Sequence, residues 1–384
     1  MPEIARVFAH QVESELFARQ LLAVIGVLPG EPNVVFLVKF ILLSIPALFI
    51  ILGAPFIGLI SDNMSRKALL IASLLVFGVS GTSGYFAHTF LEMFIGRAFL
   101  GIAIAGIKTS TVAMIGDHYT GAARNRIIGW QGSAMKVGGV VFMLIGGALA
   151  NSSWQTPFLG YLIAFALVPS SLIALAGGLP GQATREQAKT DDARPAIFWS
   201  SSWVFVSAFL ASGLFFVTPV QLPFFLKNTF AASPFQMGAA IAVGNTVGAL
   251  VALAYHRIRS HMSFVAIHGM VFLVMAAGYF LLTQATSYVG VLWSMGVAGV
   301  GFGLYVPNHS SWILSVVSAR RRGFGAGLVT TAMFLGQFAA PILIQPLIDP
   351  ADSTAVWRAL SIILTLLALT YFGISALRSK ATAG

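Results

Sequence analysis

Long apolar stretches separated by short polar segments dominate this chain of 384 residues. Eleven of the stretches approach or exceed the about 20 residues that a helix needs to cross a bilayer. They lie near residues 34–60, 68–87, 91–115, 127–149, 156–177, 198–226, 235–255, 263–283, 288–314, 324–347 and 355–377. The pattern predicts an all-α, polytopic membrane protein with eleven transmembrane helices.

The longest polar interruption covers residues 178–197 and is rich in charged side chains. Such a segment is typical of a flexible linker between two packed units. We therefore expect an N-terminal half, residues 1–177, with five spans and a C-terminal half, residues 198–384, with six.

The two halves also resemble each other. An ungapped shift of 198 residues places Arg124 on Arg322 and Gly129 on Gly327, and the ends of the predicted helices coincide as well. Parallel repeats of this kind occur in transporters in which one half rocks against the other. The shift predicts a duplicated, pseudo-symmetric molecule.

Composition supports a membrane protein and excludes a water-soluble enzyme. Apolar residues make up 57% of the chain and charged residues only 9%, whereas soluble domains carry about 25% charged residues. The chain has no cysteine, so it has no disulfide and no thiolate metal site. It also has no motif of a metalloprotease or a nucleotide-binding loop. We expect no enzymatic activity, cofactor or metal.

The formal charge of +10 is read as a topology signal rather than as a nucleic-acid surface. Most Lys and Arg residues fall in one set of alternate loops, which should face the cytoplasm. We therefore expect a protein of the inner (plasma) membrane whose main linker and C-terminus are cytoplasmic. The residues behind this assignment are Arg66, Lys67, Arg124, Arg126, Arg185, Lys189, Arg194, Arg257, Arg259, Arg320, Arg321, Arg322, Arg378 and Lys380.

Residues 58–70 read GLISDNMSRKALL. This segment resembles the signature between the second and third helices of the major facilitator superfamily, with Asn63 and Ser65 at two positions where the family has arginine and glycine. Two further segments resemble the family. Arg97, followed by glycines, matches its fourth-helix pattern, and residues 116–126 match its next cytoplasmic loop.

The resemblance implies the superfamily's fold of two pseudo-symmetric helical bundles with twelve helices, one more than the sequence shows. Residues 1–8 resemble the segment that closes the family's first helix. We expect that helix one lies upstream of this sequence; the alternative is a span within residues 16–30.

The resemblance also implies a gate made of ion pairs, although a loop that only sets topology would look similar. The residues assigned to the gating motif are Gly58, Asp62, Arg66, Lys67, Arg97, Asp117, Arg124 and Arg126.

Cations inside the predicted spans are candidates for substrate contact. A buried Lys or Arg costs about 3 kcal/mol by insertion scales unless it faces a wet cavity or a partner. Arg97 and Lys108 are about three helical turns apart and should share one face, which Thr111 continues. Lys136 could enter the same cavity or pair with a carboxylate on the missing helix. The pattern predicts a polar, cationic groove.

The second half adds Tyr305, Asn308 and His309 around a proline that interrupts helical hydrogen bonding. They could line a binding site at mid-depth, but Asn308 could equally pack helices together and His309 could be a neutral, satisfied core residue. Gln221 and Gln337 are weaker candidates of the same kind. Because no Asp or Glu lies at the centre of a predicted span, proton coupling would depend on His309, His268, Asp117 or an acid on the missing helix.

These features together predict a secondary active transporter that moves a small organic solute by alternating access. The cationic groove favours an anionic or zwitterionic metabolite or drug, and we expect export, with a proton as a possible coupling ion. The alternatives are an organic-acid uptake permease and a transporter-like sensor that binds without transport. Its partners should be the solute and the bilayer, and we expect a monomer that binds no nucleic acid.

Overall fold

The computed structural model describes residues 45–149, 152–176, 197–347 and 352–381. The regular elements in these ranges are all helices. The long ones are α1 (Ile45–Asn63), α2 (Arg66–Phe86), α3 (Phe90–His118), α4 (Gly121–Leu149), α5 (Ile163–Ala176), α6 (Ile197–Phe230), α7 (Pro234–His261), α8 (Phe264–Thr283), α9 (Tyr288–Val316), α10 (Arg322–Leu343) and α11 (Ala355–Ala381). Short 3₁₀ segments cover Thr156–Leu162 before α5, Ala319–Arg321 before α10 and Gln345–Leu347 after it.

The predicted all-helical, polytopic class is confirmed, and the predicted number of spans is approximately right. Each of the eleven apolar stretches overlaps one of the eleven long helices of the described ranges, and residues 34–44 of the first stretch lie outside those ranges. Within the described ranges, ten helices are long and apolar enough to cross a membrane; α4 falls outside that set. The predictions about helix one lie outside the described residues, as does the linker apart from Ile197.

Local sequence signals fix several helix starts. Thr89 and Glu92 form a reciprocal capping box at the start of α3. Ser233 and Gln236 do the same for α7, where Pro234 occupies the first turn and needs no hydrogen-bond donor. Such caps satisfy the free backbone N–H groups, so adjacent helices can be joined by very short loops.

The helices form an N-terminal group, α1–α5, and a C-terminal group, α6–α11. The two groups meet mainly along two seams, where α1 packs on α10 and α4 packs on α7. Smaller contacts join α3 to α10 and α4 to α9. We call the two main contacts the α1–α10 seam and the α4–α7 seam.

Glycines allow close backbone contact in both seams. A Cβ on Gly327 would overlap the carbonyl oxygen of Ala54 across the α1–α10 seam, and a Cβ on Gly129 would lie 2.5 Å from the carbonyl oxygen of Ala252 across the α4–α7 seam. Both residues of one pair are related to those of the other by the 198-residue shift. The duplication is therefore visible in the packing.

We expect Gly327→Ala and Gly129→Ala to destabilise the protein by about 1–3 kcal/mol, because the added methyl group forces the facing backbones apart. Thermal unfolding in detergent, with transport measured in parallel, checks this expectation. Gly138→Ala is the matched control, since a Cβ there has no heavy atom within 4 Å. Equal stability of all three variants would contradict the packing described for the seams.

Candidate functional site

Asp62, in the last turn of α1, joins the two helix groups. Its Oδ1 accepts a hydrogen bond from the backbone N–H of Gly323 (2.7 Å), and its Oδ2 accepts one from that of Phe324 (2.9 Å). These N–H groups belong to the first turn of α10, the positive end of a helix dipole. Arg66 also lies 3.2 Å from Asp62 Oδ1. The carboxylate thus caps a helix of the opposite group.

Asp117, at the end of α3, extends this contact. Its carboxylate pairs with Arg66 Nη1 at 2.6 Å and with Arg322 Nη1, in the opposite group, at 3.2 Å. Arg124 at the start of α4 donates to the carbonyl oxygen of Leu314 at the end of α9, at 2.9 Å. These groups close one end of the contact between the helix groups, which we call the gate end.

Gly58 permits this closure because a Cβ there would lie 2.7 Å from the carbonyl oxygen of Gly323. The structure therefore brings five of the predicted gating residues together: Gly58, Asp62, Arg66, Asp117 and Arg124. Lys67 makes no hydrogen bond or ion pair with the described residues, and Arg126 stacks over Trp130 at 4.8 Å.

Sequence reasoning did not assign the partners on α10 to the gate. The gate is completed by Arg322, Gly323 and Phe324. The sequence did indicate Arg322, because the 198-residue shift matches it to Arg124. The two backbone N–H groups that Asp62 caps could not be predicted from the sequence, because every residue except proline has such a group.

Arg97 does not lie at the gate, and it does not share a groove with Lys108. Its side chain is 3% exposed inside the N-terminal group, where Nη2 donates to the carbonyl oxygen of Gly81 at 3.2 Å. Its guanidinium lies 5.0 Å and 5.6 Å from the ring centroids of Phe158 and Tyr161. A carbonyl and two aromatic faces therefore accommodate this cation within its own helix group.

Two lysines of the N-terminal group point at aromatic rings of the C-terminal group. Lys108 Nζ on α3 lies 5.1 Å from the ring centroid of Phe334 on α10. Lys136 Nζ on α4 lies 5.2 Å from Phe215 on α6 and 5.7 Å from Tyr305 on α9. Neither lysine forms an ion pair with a described residue. Both ammonium groups thus lie between the two helix groups, where aromatic π-faces of the described residues partly compensate their charge.

A small cavity of about 30 Å³ adjoins Lys108. Gln131, Ser310 and Thr330 contribute polar atoms to its lining. Thr111, Gln221 and Gln337 are not part of this lining. Thr111 donates its hydroxyl hydrogen to the carbonyl oxygen of Ile107 on its own helix, at 2.6 Å. Gln221 and Gln337 are half-buried on α6 and α10.

Asn308 and His309 are fully buried inside the C-terminal group rather than facing Lys108 or Lys136. Asn308 accepts a hydrogen bond from the Tyr255 hydroxyl (3.1 Å) and donates one to the carbonyl oxygen of Phe264 (2.9 Å). His309 Nε2 lies 2.6 Å from His268 Nε2. This placement favours helix packing over substrate contact for both residues, while Tyr305, one turn earlier, does reach Lys136.

Comparison with known proteins gives a consistent picture. The family model described as Major Facilitator Superfamily matches residues 35–341. Multidrug resistance protein 1 of Bacillus subtilis (strain 168) is 28% identical over 327 residues, which cover 82% of each protein. Quinolone resistance protein NorA of Staphylococcus aureus (strain Mu50 / ATCC 700699) is 23% identical over 339 residues, which cover 80% of each.

Two solved structures have a similar fold at low sequence identity. The human organic anion transporter MFSD10 (TETRAN) has a TM-score of 0.71 at 19% identity, covering 92% of this chain and 88% of its own. The proton:xylose symporter XylE, bound to 6-bromo-6-deoxy-D-glucose, has a TM-score of 0.70 at 15% identity, covering 96% and 92%. The overall fold is therefore shared with these two proteins.

Proposed function

Since the chain belongs to the major facilitator superfamily and is a multi-pass membrane transport protein, we propose that it exports an anionic or zwitterionic organic solute. The solute binds between the two helix groups, at Lys108 and Lys136, and crosses the membrane by alternating access. The gate made by Asp62 and Asp117 closes one end of that route.

The observation that carries the proposal is the environment of the two lysines. Each ammonium group is held against aromatic rings of the opposite helix group, with no carboxylate partner among the described residues. An anionic solute would supply the missing negative charge at low dielectric, where a charge-assisted hydrogen bond is strong. A lipophilic cation would be repelled by the same two groups.

The gate supports alternating access. Asp62 caps α10 only while the two groups are in contact, so each cycle must break and re-form these bonds. We assign the gate to the cytoplasmic side, because it lies in the loops that carry most of the basic residues. The halves that rock are residues 1–177 and 198–384, joined by the linker 178–197, in the inner membrane and as a monomer.

Export is favoured by the two relatives, which are named as resistance proteins for multiple drugs and for quinolones. A quinolone such as norfloxacin is a suitable probe because it carries both a carboxylate and an amine. Its ethyl ester lacks the negative charge and serves as the control solute.

The test is norfloxacin accumulation in inverted proteoliposomes that contain the purified protein, with and without an imposed proton gradient. We expect accumulation of norfloxacin, little accumulation of the ester, and loss of accumulation when the gradient is dissipated. Accumulation only in the opposite orientation would identify an uptake permease. Binding without accumulation would identify a sensor, and either result would overturn the proposal.

A further inference from the structure

The two seams share a close glycine contact but differ in the hydrogen bonds that cross them. On the α1–α10 seam, Asp62 bonds to Gly323 and Phe324, and the Thr331 hydroxyl donates to the carbonyl oxygen of Ile51 at 3.0 Å. Among the described residues, no side-chain hydrogen bond joins α4 to α7. The α1–α10 seam is therefore the more strongly bonded of the two.

The 198-residue shift identifies what the α4–α7 seam lacks at this end. It places Asp62 on Ser260, whose hydroxyl lies 2.7 Å from the carbonyl oxygen of Arg257 on its own helix. No carboxylate in the described part of the chain caps the start of α4 as Asp62 caps α10.

The same shift places Asp117 on Ser315. The Ser315 hydroxyl donates to the carbonyl oxygen of Trp312 at 2.7 Å, within its own helix. Arg124, the counterpart of Arg322, therefore meets the Leu314 carbonyl oxygen instead of an acid. Serine therefore replaces both acids of the gate, Asp62 and Asp117, at the equivalent positions of the second half.

The gate end of the α4–α7 seam is also strongly basic. Residues 120–132 and 253–266 contain no Asp or Glu. The basic side chains there are Arg124, Arg126, His256, Arg257, Arg259 and His261. Like charges on two facing helix ends repel each other, which weakens this end of the seam further.

Lys136 lies in this weaker seam. A Cβ on Gly248 of α7 would lie 3.0 Å from Lys136 Cδ and 3.1 Å from its Cε, so the lysine stem packs directly on α7. Separation of α4 from α7 would uncover this stem from the gate end.

We propose that the gate begins to open along the α4–α7 seam, and that the Asp62 bonds of the α1–α10 seam break only afterwards, when the two helix groups separate fully. The basic gate end of the α4–α7 seam is the mouth through which a carboxylate-bearing solute reaches Lys136. The opening itself is independent of the proposed function, whereas the role of the mouth for the solute rests on it.

The opening can be measured directly because the chain has no native cysteine. Spin labels on Ala122→Cys/His261→Cys report on the α4–α7 seam. The control pair, Asn63→Cys/Arg320→Cys, is its equivalent on the α1–α10 seam under the same shift, and all four positions are exposed. Transport by both unlabelled variants is checked first.

Double electron–electron resonance in lipid nanodiscs should give a second, longer distance in a larger share of the molecules for the α4–α7 pair than for the control pair. Equal distributions for the two pairs, or a longer distance only for the control pair, would overturn the proposal. This experiment uses no solute, so its outcome does not depend on the proposed function.

The mouth is tested with Arg257→Gln in inverted proteoliposomes. We expect the KM for norfloxacin to rise about threefold, with kcat unchanged and the effect lost at high salt, because a basic mouth concentrates anions. Arg320→Gln, an exposed basic residue at the gate end of the other seam, is the control.

The mouth could recognise either the carboxylate of the solute or an anionic lipid headgroup. The same KM measurement in membranes of phosphatidylcholine alone and in membranes that also contain phosphatidylglycerol distinguishes these two cases. A KM effect in both membranes supports the solute. An effect only with phosphatidylglycerol would show that the mouth binds lipid headgroups, and an equal effect of Arg320→Gln would show a general surface effect. Either result would overturn the role of the mouth. If norfloxacin is not transported at all, the proposed function fails while the distance measurement still stands.

Discussion

Lys108→Gln is expected to weaken the binding of norfloxacin by about 1–3 kcal/mol, the scale of a charge-assisted hydrogen bond. The change keeps a polar side chain of similar length but removes the positive charge that faces Phe334. Binding of the ethyl ester should not change, because the ester has no carboxylate. Equilibrium binding to the purified protein in nanodiscs measures both ligands.

Two further variants accompany this prediction: Lys136→Gln tests the second lysine of the site, and Lys227→Gln is the control. Lys136→Gln should produce a loss of the same kind, because this ammonium group also lies between the helix groups. Lys227 is exposed near the end of α6, so its replacement should have no effect. An equal loss for norfloxacin and its ester would indicate a packing defect, and no loss for either would remove Lys108 from the site.

Asp62→Asn should reduce the maximal transport rate strongly while it leaves the affinity for the solute almost unchanged. The amide loses the charge that faces Arg66 and one of the two acceptors that cap α10. A hydrogen bond to a charged group contributes about 1.5–3 kcal/mol, so the closed gate loses stability of that order. The residue acts on the equilibrium between conformations rather than on the bound solute.

The measurement compares transport rates at saturating norfloxacin with binding affinities for the same protein samples. Asp352→Asn is the control: this acid lies outside the gate, in the short segment before α11, where it pairs with Arg358. Wild-type rates for Asp62→Asn at matched expression would remove the carboxylate from the mechanism. A large loss of affinity with a normal rate would instead place it at the solute.

The positions of the helices could be predicted from the sequence because the bilayer requires long apolar stretches and because capping residues mark several helix starts. The contact between the two helix groups around Asp62 could be located in part, since its acids and arginines lie in a recognisable order between residues 58 and 126. The contact of Asp62 with the backbone of Gly323 and Phe324 could not be predicted, because these residues lie far apart in the sequence. Backbone N–H groups carry no residue-type signal.

The site residues were predicted less well, and Arg97 shows why. Its spacing from Lys108 predicts a shared face of α3, but the spacing does not reveal which helix lies opposite at each depth. At Arg97 the neighbours are Gly81, Phe158 and Tyr161 of the same helix group. At Lys108 the neighbour is Phe334 of the other group.

Asn308 and His309 lie away from Lys108 and Lys136 for a related reason. A polar residue in an apolar helix must find a hydrogen-bond partner, but that partner can lie within one bundle as well as in a central cavity. Here Tyr255 and His268 supply the partners inside the C-terminal group. The packing of α7, α8 and α9 decides whether such a residue contacts its own bundle or the central cavity.

The position of bound norfloxacin tests the central claim most directly. Cryo-electron microscopy of the protein in nanodiscs at saturating norfloxacin should show the carboxylate within about 3 Å of Lys108 Nζ or Lys136 Nζ. The same lysine should have moved away from the aromatic ring that it faces in the structure described here. A drug bound elsewhere, or bound here with its carboxylate turned away and both lysines still on their rings, would contradict the account.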